Sequence, residues 1–355
     1  MGAGYSIQIN GAPDAQLGTA ASLDVYECLG MSTTFRLSYG LDIANGDFLL
    51  LKDARLSYGS IVSVFVSSGS QTVCLVKGPI HGQQIQMKQG GEGSTLDALG
   101  TDTSITMDRE NKASLWPDLT DSDAVSQILG NYSLTPDVDT TTASHPEAKH
   151  VLVQRETDLA FVRRLARRNG FFFWITCDAA GAVETGHFKK PPIGDDPAMD
   201  LVLNLTDPPA NIPAIDISWD VERPTSADAA QLDLNTKETI DGAVASSPLN
   251  PLGAQALSAI ASETRSLHLY APADDAGDLQ ARGEGALIES GFFVRARGRT
   301  TAANLSGVLR ANMVVNLRGA GTRHSGKWFC ASVRHTIDDA EHRMEFELIR
   351  NGWDA

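Results

Sequence analysis

The chain has 355 residues, 42% of them hydrophobic and 21% charged, which leaves room for two or three globular domains and excludes a disordered chain. Its formal net charge of −15 argues against a general nucleic-acid binder. No apolar run reaches bilayer-spanning length, so no membrane insertion is expected.

The amino terminus, MGAGYSIQINGAPDA, lacks the basic and apolar regions of a signal peptide. Cys28, Cys74, Cys177 and Cys330 stand far apart with no CxxC pair. They read as buried free thiols made in a reducing cytoplasm.

Residues 5–110 read as strands and turns. Ser6–Ile9, Ser22–Cys28 and Thr33–Leu37 are short β-type runs separated by Gly, Pro and Asp. Phe48–Leu51 follows a Gly46-Asp47 turn. Ile61–Val66 leads through Ser67–Ser70 into Thr72–Val76 as a hairpin. Between Gln83 and Gln89, Ile85 and Met87 alternate with glutamines, and GGEGS at 90–94 is a loop without dinucleotide-binding spacing. Strand count and spacing predict a small barrel or sandwich.

Residues 113–205 change character. Thr120-Asp-Ser-Asp123 has capping-box spacing, Ala124, Val125, Ile128 and Leu129 share a helical face, and Gly130 is the expected stop. The stretch TPDVDTTTASHPEAKH (135–150) reads as a polar loop. A second helix, 157–169, places Leu159, Phe161, Val162, Leu165 and Ala166 on one arc at about 100° per residue. Arg163, Arg164, Arg167 and Arg168 fill the opposite arc. Thr157 caps this helix, Gly170 ends it, and Phe171–Ile175 is too apolar to face water. A return strand near Val183–Phe188 and two proline-rich stretches, 191–197 and 207–213, follow.

From Ala214 the alternation returns: Ile215, Ile217, Trp219 and Val221 point one way. A polar section, 226–275, is rich in Ala, Asp and Ser. Asp278–Ser290 is expected as a helix despite Gly283 and Gly285. Strands are expected at Gly291–Arg297, Met313–Leu317, Lys327–Thr336 and His342–Arg350. One internal similarity stands out: Leu56-Ser-Tyr-Gly59-Ser-Ile61 resembles Leu309-Arg-Ala-Asn312-Met-Val314. Each is followed by a strand with a cysteine (Cys74, Cys330) and then a histidine (His81, His335). Chance and a duplicated β unit both account for it.

Catalytic patterns are missing. There is no GxSxG, Walker loop, HExxH or paired-cysteine zinc spacing. His145 with His150, and His335 with His342, have poor metal spacing and read as surface or hydrogen-bonded histidines. The acidic pairs Asp121/Asp123, Asp195/Asp196 and Asp338/Asp339 sit where capping or solvation explains them. The four arginines are open to two readings: the solvated side of an amphipathic helix, or an inter-subunit surface.

The stretches MDRENKASLWPDLTDSDAVSQIL and QRETDLAFVRRLARRNGFFFWI, within Met107–Ile175, together with the closing GRTTAANLSGVLRANMVVNLRGAG and HRMEFELIRNG, resemble the late-control D family of phage tail proteins. That family is similar to the hub part of VgrG proteins of type VI secretion. The resemblance implies an α+β, mainly β chain with two similar small β-barrel, tube-like domains and α/β domains inserted between and within them. The division is then 1–110, 111–213, 214–225 with 291–355, and an inserted mixed segment at 226–290.

It implies a non-enzymatic baseplate hub of a contractile phage tail, tailocin or secretion particle, made in the bacterial cytoplasm, with no cofactor or metal. Its expected partners are two further copies in a homotrimer, a separate spike protein, the inner tube protein and baseplate wedge proteins. DNA or other cargo would pass without specific binding. Arg163, Arg164, Arg167 and Arg168 are the candidate subunit contact. A tail-associated peptidoglycan hydrolase, which a zymogram would reveal, and a β-rich adhesin are the alternatives. VgrG chains continue into a needle, whereas this sequence stops at Trp353-Asp-Ala355, as expected if the spike is a separate polypeptide.

Overall fold

The computed structural model describes residues 4–354 apart from 45–46, 69–70, 149, 233–236, 262 and 270–275. Period-two alternation builds the first section. Strands β1 (Tyr5–Ile9), β2 (Ser22–Cys28), β3 (Thr34–Leu41), β4 (Ile61–Ser68), β5 (Gln71–Gln86) and β6 (Ser94–Thr101) turn alternate side chains into one core. Leu23, Val25, Phe35, Leu37, Val62, Val64, Leu96 and Ala98 are buried there. β5 runs on through the glutamine-rich stretch, because its second half pairs with β6. The turns expected at Gly46-Asp47 and Ser67–Ser70 fall partly outside the described residues.

The α/β section is held by its own core. Helix α1 (Asp121–Asn131) carries the full capping box: Thr120 Oγ1 accepts from Asp123 N and the Asp123 carboxylate accepts from Thr120 N, each at 3.2 Å. Gly130 does not end it. The helix reaches Asn131, and the left-handed residue is Ser133, φ 57°. Thr157 caps helix α2 (Asp158–Arg168), and Gly170 at φ 67° terminates it.

The stretch expected as a polar loop opens with a strand, β7 (Thr135–Val138), lying parallel to β9 (Glu184–Lys189), which pairs antiparallel with the aromatic strand β8 (Phe172–Cys177). An edge position tolerates Pro136 and the exposed Thr135, which is why composition hid the strand. Ile128, Leu129, Phe161, Val162, Leu165, Phe173 and Phe188 form the shared core.

Downstream come β10 (Asp200–Val202) and β11 (Ile215–Trp219). The Ala- and Ser-rich section then forms β12 (Ser226–Leu232) and β13 (Ser266–Leu269), paired in parallel, beneath helix α3 (Ala276–Gly291). Its core is small, with Ala229 and Leu279 buried, and alanines leave little hydrophobic signal to read. The chain closes with β14 (Val294–Thr301), β15 (Val314–Arg318), β16 (Gly326–Ile337) and β17 (His342–Arg350).

The two β sections have the same topology. The first runs β4-β5-β6-β3-β2 and the second β15-β16-β17-β14-β11. Every neighbouring pair in both is antiparallel. The likeness extends to single hydrogen bonds. Gly59 N donates to Ile80 O and Ile80 N to Ser60 O, each at 2.9 Å. Asn312 N donates to Cys330 O and Cys330 N to Met313 O at the same distances. Gly59 (φ 87°) and Asn312 (φ 67°) both take the left-handed conformation, after the buried Leu56 and Leu309.

A bulge follows at His81 in β5 and at Ala331 in β16. This register makes Ile80, not Cys74, the counterpart of Cys330. The cysteine and histidine part of the sequence similarity is therefore coincidental.

The two sections are not separate sheets. β2 pairs antiparallel with the second half of β16, from Leu23 opposite Ile337 to Cys28 opposite Ser332. One strand path thus runs from β11 through both sections to β1 and the two-residue strand Ala12–Pro13 beyond it, open at both ends. A single hydrophobic core underlies both.

Helix α3 needs Gly285 because the end of α2 presses on it there. A methyl on Gly285 would meet Gly170 N at 2.7 Å and the Arg168 carbonyl oxygen at 2.8 Å, whereas one on Gly130 of α1 would meet nothing within 4 Å. Helix propensity favours alanine over glycine by about 1 kcal/mol, and overpacking costs about 1–3 kcal/mol. Urea denaturation should accordingly show Gly130→Ala stabilising by up to about 1 kcal/mol and Gly285→Ala destabilising, although both are glycines in helices.

Candidate functional site

The joint between the β sections is built on a charge where the pattern calls for a hydrophobe. In β2, Leu23, Val25 and Glu27 all face inward, and Glu27 is buried. A carboxylate there must be matched. Arg310 Nε donates to Glu27 Oε1 at 2.5 Å and Ala311 N to Oε2 at 3.0 Å. The remaining guanidinium nitrogens donate to the carbonyls of Cys74 (2.9 Å) and Leu75 (3.1 Å) in β5. Arg310, just before β15, thereby grips two strands of the first section. Burial alone would raise the Glu27 pKa, but the Arg310 and His335 interactions outweigh it and bring it down to about 2.

His335 and His342 lie behind this pair, His335 Nδ1 lying 2.9 Å from His342 Nε2, both buried. Of the two sequence readings, hydrogen-bonded holds for this pair and surface does not. Burial pushes both downward, His342 to about 3. Sequence reading passed over Glu27 and Arg310. The available signal was a glutamate in an otherwise apolar inward row.

The four arginines of α2 each find a partner within the chain. Arg163 Nη2 donates to Ser32 Oγ at 2.7 Å, reaching the β2–β3 turn. Arg164 Nε donates to Glu156 at 2.6 Å and lies over the Phe161 ring. Arg167 Nε meets Glu289 of α3 at 3.2 Å, with both side chains largely exposed. Arg168 is buried and bonds Asp121, its Nε at 2.5 Å from Oδ2, with burial lowering its pKa to about 10.

Asp121 also accepts from Asn169 Nδ2 at 2.6 Å and lies 2.9 Å from His145 Nε2. It is therefore a buried inter-helix node, more than the helix-start residue expected, and His145 is buried with it. Asp123 and Asp338 do fill capping and turn roles. An open cleft of about 870 Å³ follows α2, lined by all four arginines with Arg223, Arg282 and Glu289. No group of three His, Cys, Asp or Glu suited to a metal occurs among the described residues, and no helix there is long and apolar enough to cross a membrane.

The expectation of four free thiols is corrected. Cys74 of β5 is disulfide-bonded to Cys177 at the end of β8, with Cα atoms 5.8 Å apart, leaving Cys28 and Cys330 free. Sequence spacing hid the bond because 103 positions separate the partners, and folding alone brings β8 against β5. Elsewhere, the outward face of the second β section alternates charges: Arg295 (2.6 Å) and Arg297 (2.9 Å) both bond Glu347, while Arg299, Arg334 and Glu345 are exposed beside them.

The fold is that of known tail proteins. A tail protein from Neisseria meningitidis MC58 matches with a TM-score of 0.70 at 16% identity, covering 98% of this chain and 97% of the other. The 43 kDa tail protein of prophage MuSo2 from Shewanella oneidensis gives 0.69 at 13%, with 98% of each chain covered. The E. coli c3393 protein, a type VI secretion component reported as similar to the T4 tail proteins gp27 and gp5, gives 0.60 at 13%, over 97% of this chain and 76% of that one. No curated protein matches by sequence. The family model of the Alg8 N-terminal domain matches residues 7–339.

Acid should open the joint first. Glu27, with its folded pKa depressed, stabilises at neutral pH and loses that contribution as pH falls from about 4.5 toward 2. His335 and His342 resist protonation when folded but not when unfolded, so stability falls from about pH 6.5 downward, as far as about 3 for His342. Both effects have one sign. Denaturation measured across pH should show a plateau above pH 7 and a decline below 6.5. Glu27→Gln should cost about 3–5 kcal/mol at pH 7 by stranding Arg310.

Proposed function

We propose that this chain, a member of the Alg8 N-terminal domain family, is a structural baseplate hub of a contractile tail or injection particle. Three copies would form a ring that meets a three-fold spike on one side and a six-fold inner tube on the other. The observation that carries this reading is the pair of five-stranded units with one strand order and one set of directions in a single chain. Three chains with two near-equivalent β units each offer the tube six similar surfaces, which a three-fold ring of single units cannot. The fold shared with tail proteins over nearly the whole of both chains supports it, as does the resemblance to the late-control D family.

In this reading the β units are the two tube-like, barrel-type domains, 1–110 and 214–225 with 291–355. Residues 111–213 and 226–290 are the inserted domains that clasp neighbours. Of the α2 arginines, Arg164 and Arg167 keep enough exposure to reach another subunit. In this reading DNA or other cargo passes along the bore without specific binding, which requires a wall that does not trap phosphates. The role is non-enzymatic, the partners being the spike, the tube protein and the wedge proteins.

Native mass spectrometry of the chain co-expressed with candidate spike and tube proteins should give three hub copies per complex. A stable dimer would overturn the proposal.

A further inference from the structure

The internal joint predicts the external one. Within the chain, the last strand of the first unit, β2, pairs with the second half of β16, beyond the bulge at Ala331. The equivalent strand of the second unit is β11, and among the described residues it pairs with β14 alone. The equivalent of the second half of β16 is the second half of β5, beyond the bulge at His81. It pairs with β6 on one side, and among the described residues no strand pairs with its other side past Ile80. One chain thus carries a complete joint and the two unmatched halves of a second. Exposed, unpaired edges of this kind are templates for strand addition.

We propose that β11 of one copy adds, antiparallel, to the second half of β5 in the next copy, repeating the internal joint and closing the ring. This rests on the hub reading above and names its interface. The register is carried over residue by residue. Leu23, Val25 and Glu27 pair with Ile337, His335 and Val333. Their counterparts place Ile215, Ile217 and Trp219 opposite Met87, Ile85 and Gln83. Tyr26 opposite Arg334 becomes Ser218 opposite Gln84. Thr336 donates to Asp24 at 2.8 Å in the internal joint; Gln86 meets Asp216 at the same place.

A second observation points to the same partner. Glu27 sits against Arg310 and Ala311, whose counterparts are Ser57 and Tyr58. The new joint therefore lays Trp219 beside Tyr58, replacing a buried ion pair with an aromatic contact. In the isolated chain Tyr58 is 75% exposed, Met87 57%, Trp219 54% and Ile85 45%. Four large apolar side chains left open on two separate strands and a turn would be covered by one contact. This is a heterologous interface, and rotation closes it into a ring.

Gln84→Cys combined with Ser218→Cys tests the register, since opposed residues on antiparallel strands lie about 4.5–5.5 Å apart, within disulfide reach. Both positions are exposed and outward-facing, so the fold is not at stake. Oxidation of the assembled protein should give covalently linked dimers and trimers. The slipped pair Gln84→Cys with Asp216→Cys, and each single variant, should not. Ile85→Lys and Trp219→Lys, with circular dichroism and melting temperature unchanged, should weaken assembly at least tenfold.

A trimer that forms but neither cross-links nor responds to the lysines overturns this closure and leaves the hub reading standing. A chain that never forms a trimer, even with spike and tube proteins present, overturns the hub reading and the closure with it.

Discussion

The structure depends on the pairing of β2 with β16. That ladder joins residues more than 300 positions apart in sequence, Asp24 with Thr336 among them, and converts two sheets into one. Its register admits no slip. A shift by one residue would turn Leu23 and Val25 out to solvent and carry Glu27 away from Arg310. A buried ion pair is weak evidence of net stability. Its value here is selective, because only one alignment of the two sections gives both charges a partner.

The bulges at His81 and Ala331 make this arrangement possible. A strand has two edges, yet β16 has three neighbours: β17 along one side, then β15 and β2 in succession along the other. The extra residue bends the strand where one neighbour gives way to the next. The α/β section is fastened to this frame by contacts of different kinds, namely the Cys74–Cys177 bond, Arg163 on Ser32 and the close approach of Gly170 to Gly285. The chain leaving that section adds one short strand pairing to these contacts, β10 lying parallel to β15.

Much of this was legible in the residues. The capped helices, the aromatic strand and the alternating strands all follow from period and punctuation, and the match of Leu56–Ile61 to Leu309–Val314 marked the duplicated turn by its left-handed residue. What stayed hidden has physical causes. The second half of β5 is polar because one edge and one face are open. β12 is built of alanines, which pack without announcing themselves. The arginines of α2 looked like one surface on a helical wheel, but their long side chains reach different neighbours. The disulfide and the Glu27–Arg310 contact exist only once distant strands meet, and local pattern carries little of that.

The duplication has an evolutionary consequence. In a ring made of identical single units, every substitution is repeated at every position, so a change that suits one neighbour is imposed on all. Two units on one chain can drift apart. The first unit sets Phe35 opposite Gly100, and the second sets Gly298 opposite Phe346; in each, the aromatic ring occupies the space a side chain on the glycine would take. The same packing problem has been solved twice, at positions two residues apart and with the strands exchanging roles. Freed from identity, one unit could acquire the α/β section and the other the small helical insertion, while the strand order they inherited stayed common to both.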